Sequence, residues 1–232
     1  MTGLDVTING VDVSVPAEMT TPLLARKLRE GSYEADEARA AERCVKDGFR
    51  VLDLGAGIGY VTTLCARRTA PENILAVEAH PGLVPVLEET LRRNGAGDAT
   101  VLHGAVAPRA EEGETAHFHL ADQFPASRLA ARGGRRVEVP LIGFHDLLRA
   151  HRPHVVLMDI EGTEAQLFDR PWRCPLRFCV LELHPRRYPL RAIQRIVDAM
   201  STMSMTYDPA TSRGRVLGFR RVWAKDGREG QD

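Results

Sequence analysis

The sequence has no surplus of either charge: 31 Lys and Arg stand against 31 Asp and Glu in 232 residues. That removes the electrostatic basis for wrapping DNA or RNA and for docking on an anionic membrane, both of which draw on excess Lys and Arg. No run approaches the roughly 18 to 20 consecutive apolar residues of a membrane span. Met1–Val15 carries Asp5 and Asp12 where a secretory leader has a basic end and an apolar block. A cytoplasmic protein with no membrane partner is expected. Cysteine is scarce, and Cys44, Cys65, Cys174 and Cys179 form neither a C-x-x-C pair nor a zinc-finger spacing with His. Buried or idle thiols in a reducing compartment are therefore expected. Aromatic residues make up only 6%, but hydrophobic residues reach 44%, enough apolar surface to offset chain entropy and exclude general disorder. The length fits one large domain, or one domain with a small appendage.

Val6 and Ile8, then Asn9-Gly10, then Val11, Val13 and Val15 form alternating apolar runs around a turn whose positive backbone angles suit Asn and Gly. This predicts a small N-terminal β-hairpin. Ala35, Ala38, Ala41 and Val45 recur at helical spacing and predict a helix over Glu34–Lys46, ended by Asp47-Gly48. Apolar runs of strand length follow at Arg50–Leu54, Asn73–Glu78, Ala99–Gly104, His154–Ile160 and Arg177–Leu183. Helical segments fall near Gly59–Arg68, Leu83–Asn94 and Thr163–Asp169. The alternation implies an α/β fold with a parallel sheet covered on both faces, whose ligands bind beyond the carboxyl ends of the strands. Leu190–Met203 then reads as a helix, and Ser204–Tyr207 and Arg215–Ala224 as closing strands. Ala107–Glu114 and Arg128–Arg136 read as surface excursions. The expected division is a hairpin and lead-in over 1–30, a main domain over 31–225 and a flexible tail over 226–232.

The strongest signal is Val51-Leu52-Asp53-Leu54-Gly55-Ala56-Gly57-Ile58-Gly59, an apolar strand running into a glycine-rich turn and then a helix. Glycines there let a backbone approach a ligand closely. The dinucleotide fingerprint G-x-G-x-x-G would need Gly where this chain has Tyr60, so the pattern is G-x-G-x-G. Glu78 ends the next strand 23 positions after Gly55, near the roughly 20 expected of an acid that accepts ribose hydroxyls. Strand, turn, helix and second acid in this order point to an adenosine-type ligand. Taken alone, the glycines could equally serve only a tight turn.

With Val155-Val156-Leu157-Met158-Asp159-Ile160-Glu161-Gly162-Thr163-Glu164 and the upstream Gly31-Ser32-Tyr33-Glu34, this loop resembles the FkbM family of S-adenosylmethionine-dependent methyltransferases. The likeness runs over roughly residues 31–185, and its D-x-E-G-x-E element is far more specific than the glycine loop. The resemblance implies a class I methyltransferase Rossmann-like fold, with a seven-stranded, mostly parallel sheet and one antiparallel strand. It implies S-adenosyl-L-methionine as cofactor, and methyl transfer usually to oxygen on sugars or other natural-product scaffolds. Carried over position by position, Gly55, Ala56, Gly57 and Gly59 with Asp53 would hold the methionine part. Glu78 would hold the ribose, and Gly104, Ala105 and Val106 the adenine edge. Tyr33 and Glu34 would close the site, with Asp159 beside the cofactor. The family often has Asn at Gly57 and Pro directly after the ribose acid. Here Ala79-His80-Pro81 follows Glu78, which puts His80 against the adenosine.

Asp159 and Glu161 are two apart at a strand end and so are expected on one face. Glu182 and His184 repeat that spacing at the end of the next strand. If these strands are neighbours, four polar groups converge beside the glycine loop. A carboxylate left unpaired there would cost several kcal/mol. The cluster is read as catalytic: His184 as general base, its ordinary pKa near 6.5 suiting neutral pH, oriented by Glu182 or Asp159, with Glu161 on the acceptor or the methionine ammonium. A structural network stapling two strand ends is the alternative. Ligand type alone would allow a metal among these four, but nothing in the spacing demands one and none is expected.

The expected partner is a small-molecule acceptor. Arg186, Arg187, Arg191 and Arg195, or Arg128, Arg132, Arg135 and Arg136, leave room for an anionic group on it, although either cluster could be plain solvated surface. His117 and His119 read as an exposed pair. The Asn/Asp-Pro-Pro-aromatic strand end of amino-methylating enzymes is absent, and no nucleic-acid partner is expected. A peptide or amine N-methyltransferase and a non-catalytic adenosine-binding relative stay open, as does a homodimer.

Overall fold

The computed structural model describes residues 3–120 and 135–222. The hairpin forms as β1 (Leu4–Ile8) and β2 (Val11–Val15), with Ile8 opposite Val11 across Asn9-Gly10. Helix α1 (Pro22–Arg29) follows, its Thr21 hydroxyl accepting from the Leu24 amide at 3.1 Å, and then α2 (Ala35–Cys44). Next come β3 (Val51–Leu54), α3 (Tyr60–Arg68), β4 (Ile74–Glu78), α4 (Val84–Arg93) and β5 (Thr100–His103). Strands β6 (Ala105–Ala107), β7 (Thr115–Leu120) and β8 (Arg135–Gly143) lead to α5 (Phe144–His151) and β9 (Val155–Met158). The chain continues through β10 (Phe178–Glu182), α6 (Leu190–Thr202), β11 (Met205–Tyr207) and β12 (Val216–Arg221).

Seven strands form the central sheet in the order β11-β12-β10-β9-β3-β4-β5, and β12 alone runs against the rest. Its inner strands are buried on both faces, which is why β3, β4 and β9 read as near-continuous apolar runs, broken only by Asp53 and by Glu78 at the end of β4. Val51, Ile74, Ala76, Val155, Leu157 and Val180 pack into one core with α2, α3, α4 and the hairpin. Leu52, Leu54, Leu75, Val77, Val156 and Met158 face the other, with α5 and α6. The parallel strands therefore end together at one rim, with Leu54 in register with Met158 and Met158 with Leu181.

Several expectations need correction. The helix over Thr163–Asp169 is a short 3-10 turn, Glu164–Phe168. Helices α1 and α5 and the three-stranded sheet β6-β8-β7 were not foreseen. Their signals were present, in Thr21-Pro22 as cap and first helical position and in Phe144, Leu147 and Leu148 at helical spacing. His119 is buried rather than exposed, whereas His117 does face solvent. Of the arginine run Arg128–Arg136, residues up to 134 lie outside the described residues, as does the tail 226–232; Arg135 opens β8. No helix among the described residues is long and apolar enough to cross a membrane.

Candidate active site

At the rim, the turn after β3 folds back on its neighbours. The amides of Gly55 and Ala56 both donate to the Val77 carbonyl, at 2.9 and 3.1 Å, and the Asp159 amide donates to the Leu54 carbonyl at 2.9 Å. Gly55 has φ +84°, and a Cβ there would lie 1.8 Å from the Asp159 carbonyl oxygen, so no other residue fits. Gly57, at φ +56°, turns its bare Cα toward Tyr33 Oη, 3.2 Å from where a Cβ would stand. Its amide donates to Glu78 Oε2 at 2.8 Å, while the His80 amide donates to Oε1 at 2.7 Å. The ribose acid of the sequence reading is thus fixed at both oxygens by backbone.

A cavity of about 700 Å³, including open solvent, opens over this turn. Of the residues expected at the cofactor, Tyr33, Glu34, Gly55, Gly57, Glu78 and Asp159 line it. Ala79 and His80 line it as well, with Gly104, Ala105 and Val106 on its far wall. Val77, Leu83, Phe118, Ile160 and Thr163 complete the wall and were not singled out from sequence. Phe118 comes from β7, which the sequence reading did not connect to the glycine loop. Ala56 sits in a smaller adjoining pocket. Asp53 lines that smaller pocket too, and it and Gly59 also make scaffold contacts. Asp53 is buried and accepts from the Thr62 hydroxyl of α3 at 2.6 Å. A Cβ on Gly59 would meet Leu87 of α4 at 2.8 Å, so that glycine lets two helices approach.

The acid cluster does converge, although not because two strand residues share a face. Strand β9 stops at Met158, and Glu161 has a left-handed backbone, φ +55°. The buried Glu164 holds that turn, its Oε1 accepting from the Ile160 and Gly162 amides at 3.2 and 3.1 Å. Glu34 is left-handed too, at φ +44°. Such backbone costs about 1 to 2 kcal/mol per L residue and persists where the surroundings enforce it, commonly at ligand sites. Both carboxylates end up on the cavity wall.

His184 lies at the centre of the cluster. Its Nε2 is 3.5 Å from Asp159, 3.6 Å from Glu161 and 3.8 Å from Glu182, and its Nδ1 is 3.0 Å from Glu164 Oε1. The last approach is off the N–H axis, an ion-pair contact rather than a directed hydrogen bond. Glu164, not Glu182 or Asp159, is therefore the nearest partner of the ring; the last Glu of D-x-E-G-x-E was the signal for it. Arg187 stands 3.4 Å from Glu161, and Arg215 2.5 Å from Glu182. Behind the cavity a larger acid-walled groove, of about 2180 Å³ including open solvent, reaches Asp159, Glu161, Glu182 and His184.

Burial pushes Asp159 well above the usual carboxylate range, and the charges of Glu182, Glu161 and Glu34 add to it. Burial does the same to Glu34 and carries Glu78 up to about 7, despite the amides of His80 and Gly57. For His184 burial works downward, but the Glu164 carboxylate, with Glu161 and Glu182, outweighs it and the net shift is upward. Both shifts have the same consequence. Folded Glu78 keeps a proton between its ordinary range and about 7, so stability of the ligand-free chain falls as pH rises through that window. The stabilisation from His184 is likewise lost as pH rises through its raised pKa.

Such a site is short of positive charge. Tyr33 Oη and Asp159 Oδ1 are buried with no hydrogen-bond partner, acids line the wall, and Gly57 leaves an open cradle. These features fit a ligand that carries both hydroxyls and cationic centres, as S-adenosylmethionine does. The sheet, its single antiparallel strand and this rim define a class I methyltransferase fold.

Residues 53–217 match the Methyltransferase FkbM domain. The chain belongs to that family and is an S-adenosylmethionine-dependent methyltransferase. No curated protein matches the sequence. Among solved structures it is similar to a Pyrococcus horikoshii protein described as a transferase, at 12% identity and TM-score 0.51, covering 94% of this chain and 71% of that one. It is also similar to the Pyrococcus abyssi tRNA (uracil-54, C5)-methyltransferase in complex with S-adenosyl-L-homocysteine, at 11% identity and TM-score 0.51. That match covers 95% of this chain and 44% of that one. At these identities the likeness is one of fold.

Proposed function

We propose that the chain methylates a hydroxyl of a small molecule, a sugar or natural-product scaffold, bound in the groove behind the glycine loop. The observation that carries this reading is the imidazole of His184 set in the groove among carboxylates. A hydroxyl is a poor nucleophile until its proton is taken, and a positioned imidazole does that.

Bound S-adenosylmethionine supplies an electrophilic methyl on a sulfonium leaving group. Glu78 accepts the ribose hydroxyls, with Ala79 and His80 beside them and Gly104, Ala105 and Val106 at the base edge. Gly55, Ala56 and Gly57 bring backbone close to the methionine part, which Tyr33 and Glu34 cover. Asp159 and Glu161 face the cationic centres and the acceptor. His184 receives the acceptor's proton at a ring nitrogen, with Glu164 and Glu182 stabilising the imidazolium. Holding the acceptor in line supplies on the order of 7 to 11 kcal/mol, against about 3 to 5 kcal/mol for the base, so positioning dominates. The domain proper spans residues 31–225, with the hairpin as lead-in.

An amine acceptor has one observation in its favour: Glu34, Glu37, Asp159, Glu161 and Glu182 line the groove and would attract a cation, although Arg187 and Arg215 already pair with Glu161 and Glu182. Incubating the chain with S-adenosylmethionine and panels of hydroxylated and amino scaffolds, followed by mass and NMR analysis of the product, separates the readings. A methyl on oxygen is expected. A methyl found only on nitrogen overturns the hydroxyl assignment.

A further inference from the structure

The carboxylates around His184 are unevenly partnered. Four carboxylates surround it, and two have an arginine each: Glu161 has Arg187 and Glu182 has Arg215. No Lys or Arg among the described residues pairs with Asp159 or Glu164, which share only the imidazole. Glu164 is fully buried, and the His184 side chain is 6% exposed. A proton on the imidazole offsets one of these carboxylates, and burial keeps a proton on Asp159, so without an ion the pair is balanced only by holding protons.

Hydrogen bonding is incomplete at the same three residues. Asp159 Oδ1, Glu164 Oε2 and His184 Nδ1 are all buried with no hydrogen-bond partner, a state that is rare and costly for such atoms. One donor atom from each residue falls in a cluster no wider than 4.8 Å. Two ligands on one divalent ion stand roughly 3 to 4.4 Å apart, so small side-chain adjustments would close the set. Asp159 and His184 also line the large groove, which gives an ion a way in.

We infer that Asp159, Glu164 and His184 form a divalent-cation site at the floor of the acceptor groove, with remaining positions open to water or an acceptor oxygen. Two carboxylates and one imidazole are a mostly hard donor set, suited to Mn²⁺ or Mg²⁺ and incapable of enclosing the ion alone. This rests on the methyltransferase reading only for what fills the open positions. A loaded site would change the task of His184: as a ligand it would hold no proton, and the acceptor hydroxyl, acidified by coordination, would give its proton to water in the open groove as its oxygen takes the methyl and S-adenosylhomocysteine leaves. The carboxylates then bind the cation directly, and both of their charges are offset.

The test uses the full chain stripped with a chelator and titrated with Mn²⁺, reading free ion by electron paramagnetic resonance. One Mn²⁺ per chain is expected to bind below roughly 0.1 mM, with Mg²⁺ competing. Asp159→Asn and His184→Ala should each weaken it by about 10- to 100-fold, while Glu89→Gln, on the exposed face of α4, should not change it. Circular dichroism shows whether each variant is folded. No saturable binding up to about 1 mM, or binding indifferent to both site variants, overturns the inference. Methyl transfer by the chelated chain is scored separately. Turnover without Mn²⁺ binding leaves the base role of His184 standing and removes the site. Mn²⁺ binding without transfer to any hydroxyl upholds the site and removes the hydroxyl reading.

Discussion

Replacing His184 with alanine should lower turnover by about 10² to 10⁴ while leaving S-adenosylmethionine affinity within roughly twofold of wild type. The ring lies against Asp159, Glu161, Glu182 and Glu164 in the acceptor groove and is absent from the lining of the cofactor cavity. Whether it takes the acceptor's proton or ligates a cation that acidifies the acceptor, its loss falls on the chemical step. Residual transfer should survive, because in-line positioning is the larger contribution. Wild-type turnover should rise with pH through a value above 6.5, the direction in which Glu164 moves the imidazole, and the variant should lose that limb. Steady-state kinetics with a calorimetric affinity for each protein checks this. If His184→Ala and Glu161→Gln both turned over like wild type with cofactor bound, the assignment of the cluster would be wrong.

Gly55→Ala should be the most damaging small substitution in the chain. The new methyl would stand 1.8 Å from the Asp159 carbonyl oxygen, a backbone atom held by the β3–β9 ladder, at a φ of +84°. To make room, the ends of β3 and β9 must part, which breaks the Asp159 amide's bond to Leu54 and displaces the acid cluster. A loss of about 4 kcal/mol or more is expected, in the range reserved for such backbone conflicts, and any folded fraction should bind S-adenosylmethionine too weakly to measure. Gly95→Ala is the control: its φ is +71° but nothing lies within 4 Å of the added methyl. It should cost only about 1 to 2 kcal/mol for the backbone conformation. Denaturant unfolding of the two variants separates conformational strain from close approach. Equal losses would contradict the packing described for the rim.

The elements legible in the sequence were those whose residues report their own burial. Strands β3, β4 and β9 are enclosed on both sides and are apolar but for the hydrogen-bonded Asp53 and Glu78, and Asn9-Gly10 carries its turn geometry in its residue types. Strand β8 hid itself: it begins Arg-Arg and contains Glu138 because one face is exposed, and it accepts Pro140 because the Leu141 amide makes the bond toward β7 and β6 pairs only from Leu141 onward. The site was legible as a set of residues more than as a geometry. Asp53 and Gly59 belong to the same motif as Gly55 and Gly57, yet a strand alternates its faces and a turn reverses them, so Gly55 and Gly57 line the main cavity while Asp53 bonds to Thr62 and Gly59 abuts Leu87. The pairing of Glu164 with His184 depends on a left-handed Glu161 and on two strands ending side by side, which no local pattern encodes.

A cationic donor is proposed to sit over Gly55–Gly57 with its ribose on ionised Glu78. Calorimetric titration of S-adenosylmethionine into wild type and Glu78→Gln at pH 6 and pH 8 tests this directly. With Glu78 held up to about 7 in the free chain, one donor should bind per wild-type chain, and about tenfold more tightly at pH 8 than at pH 6. Glu78→Gln should bind more weakly, with most of that pH dependence gone. No binding by folded wild type, or a Glu78→Gln chain that binds as wild type does at both pH values, would contradict it.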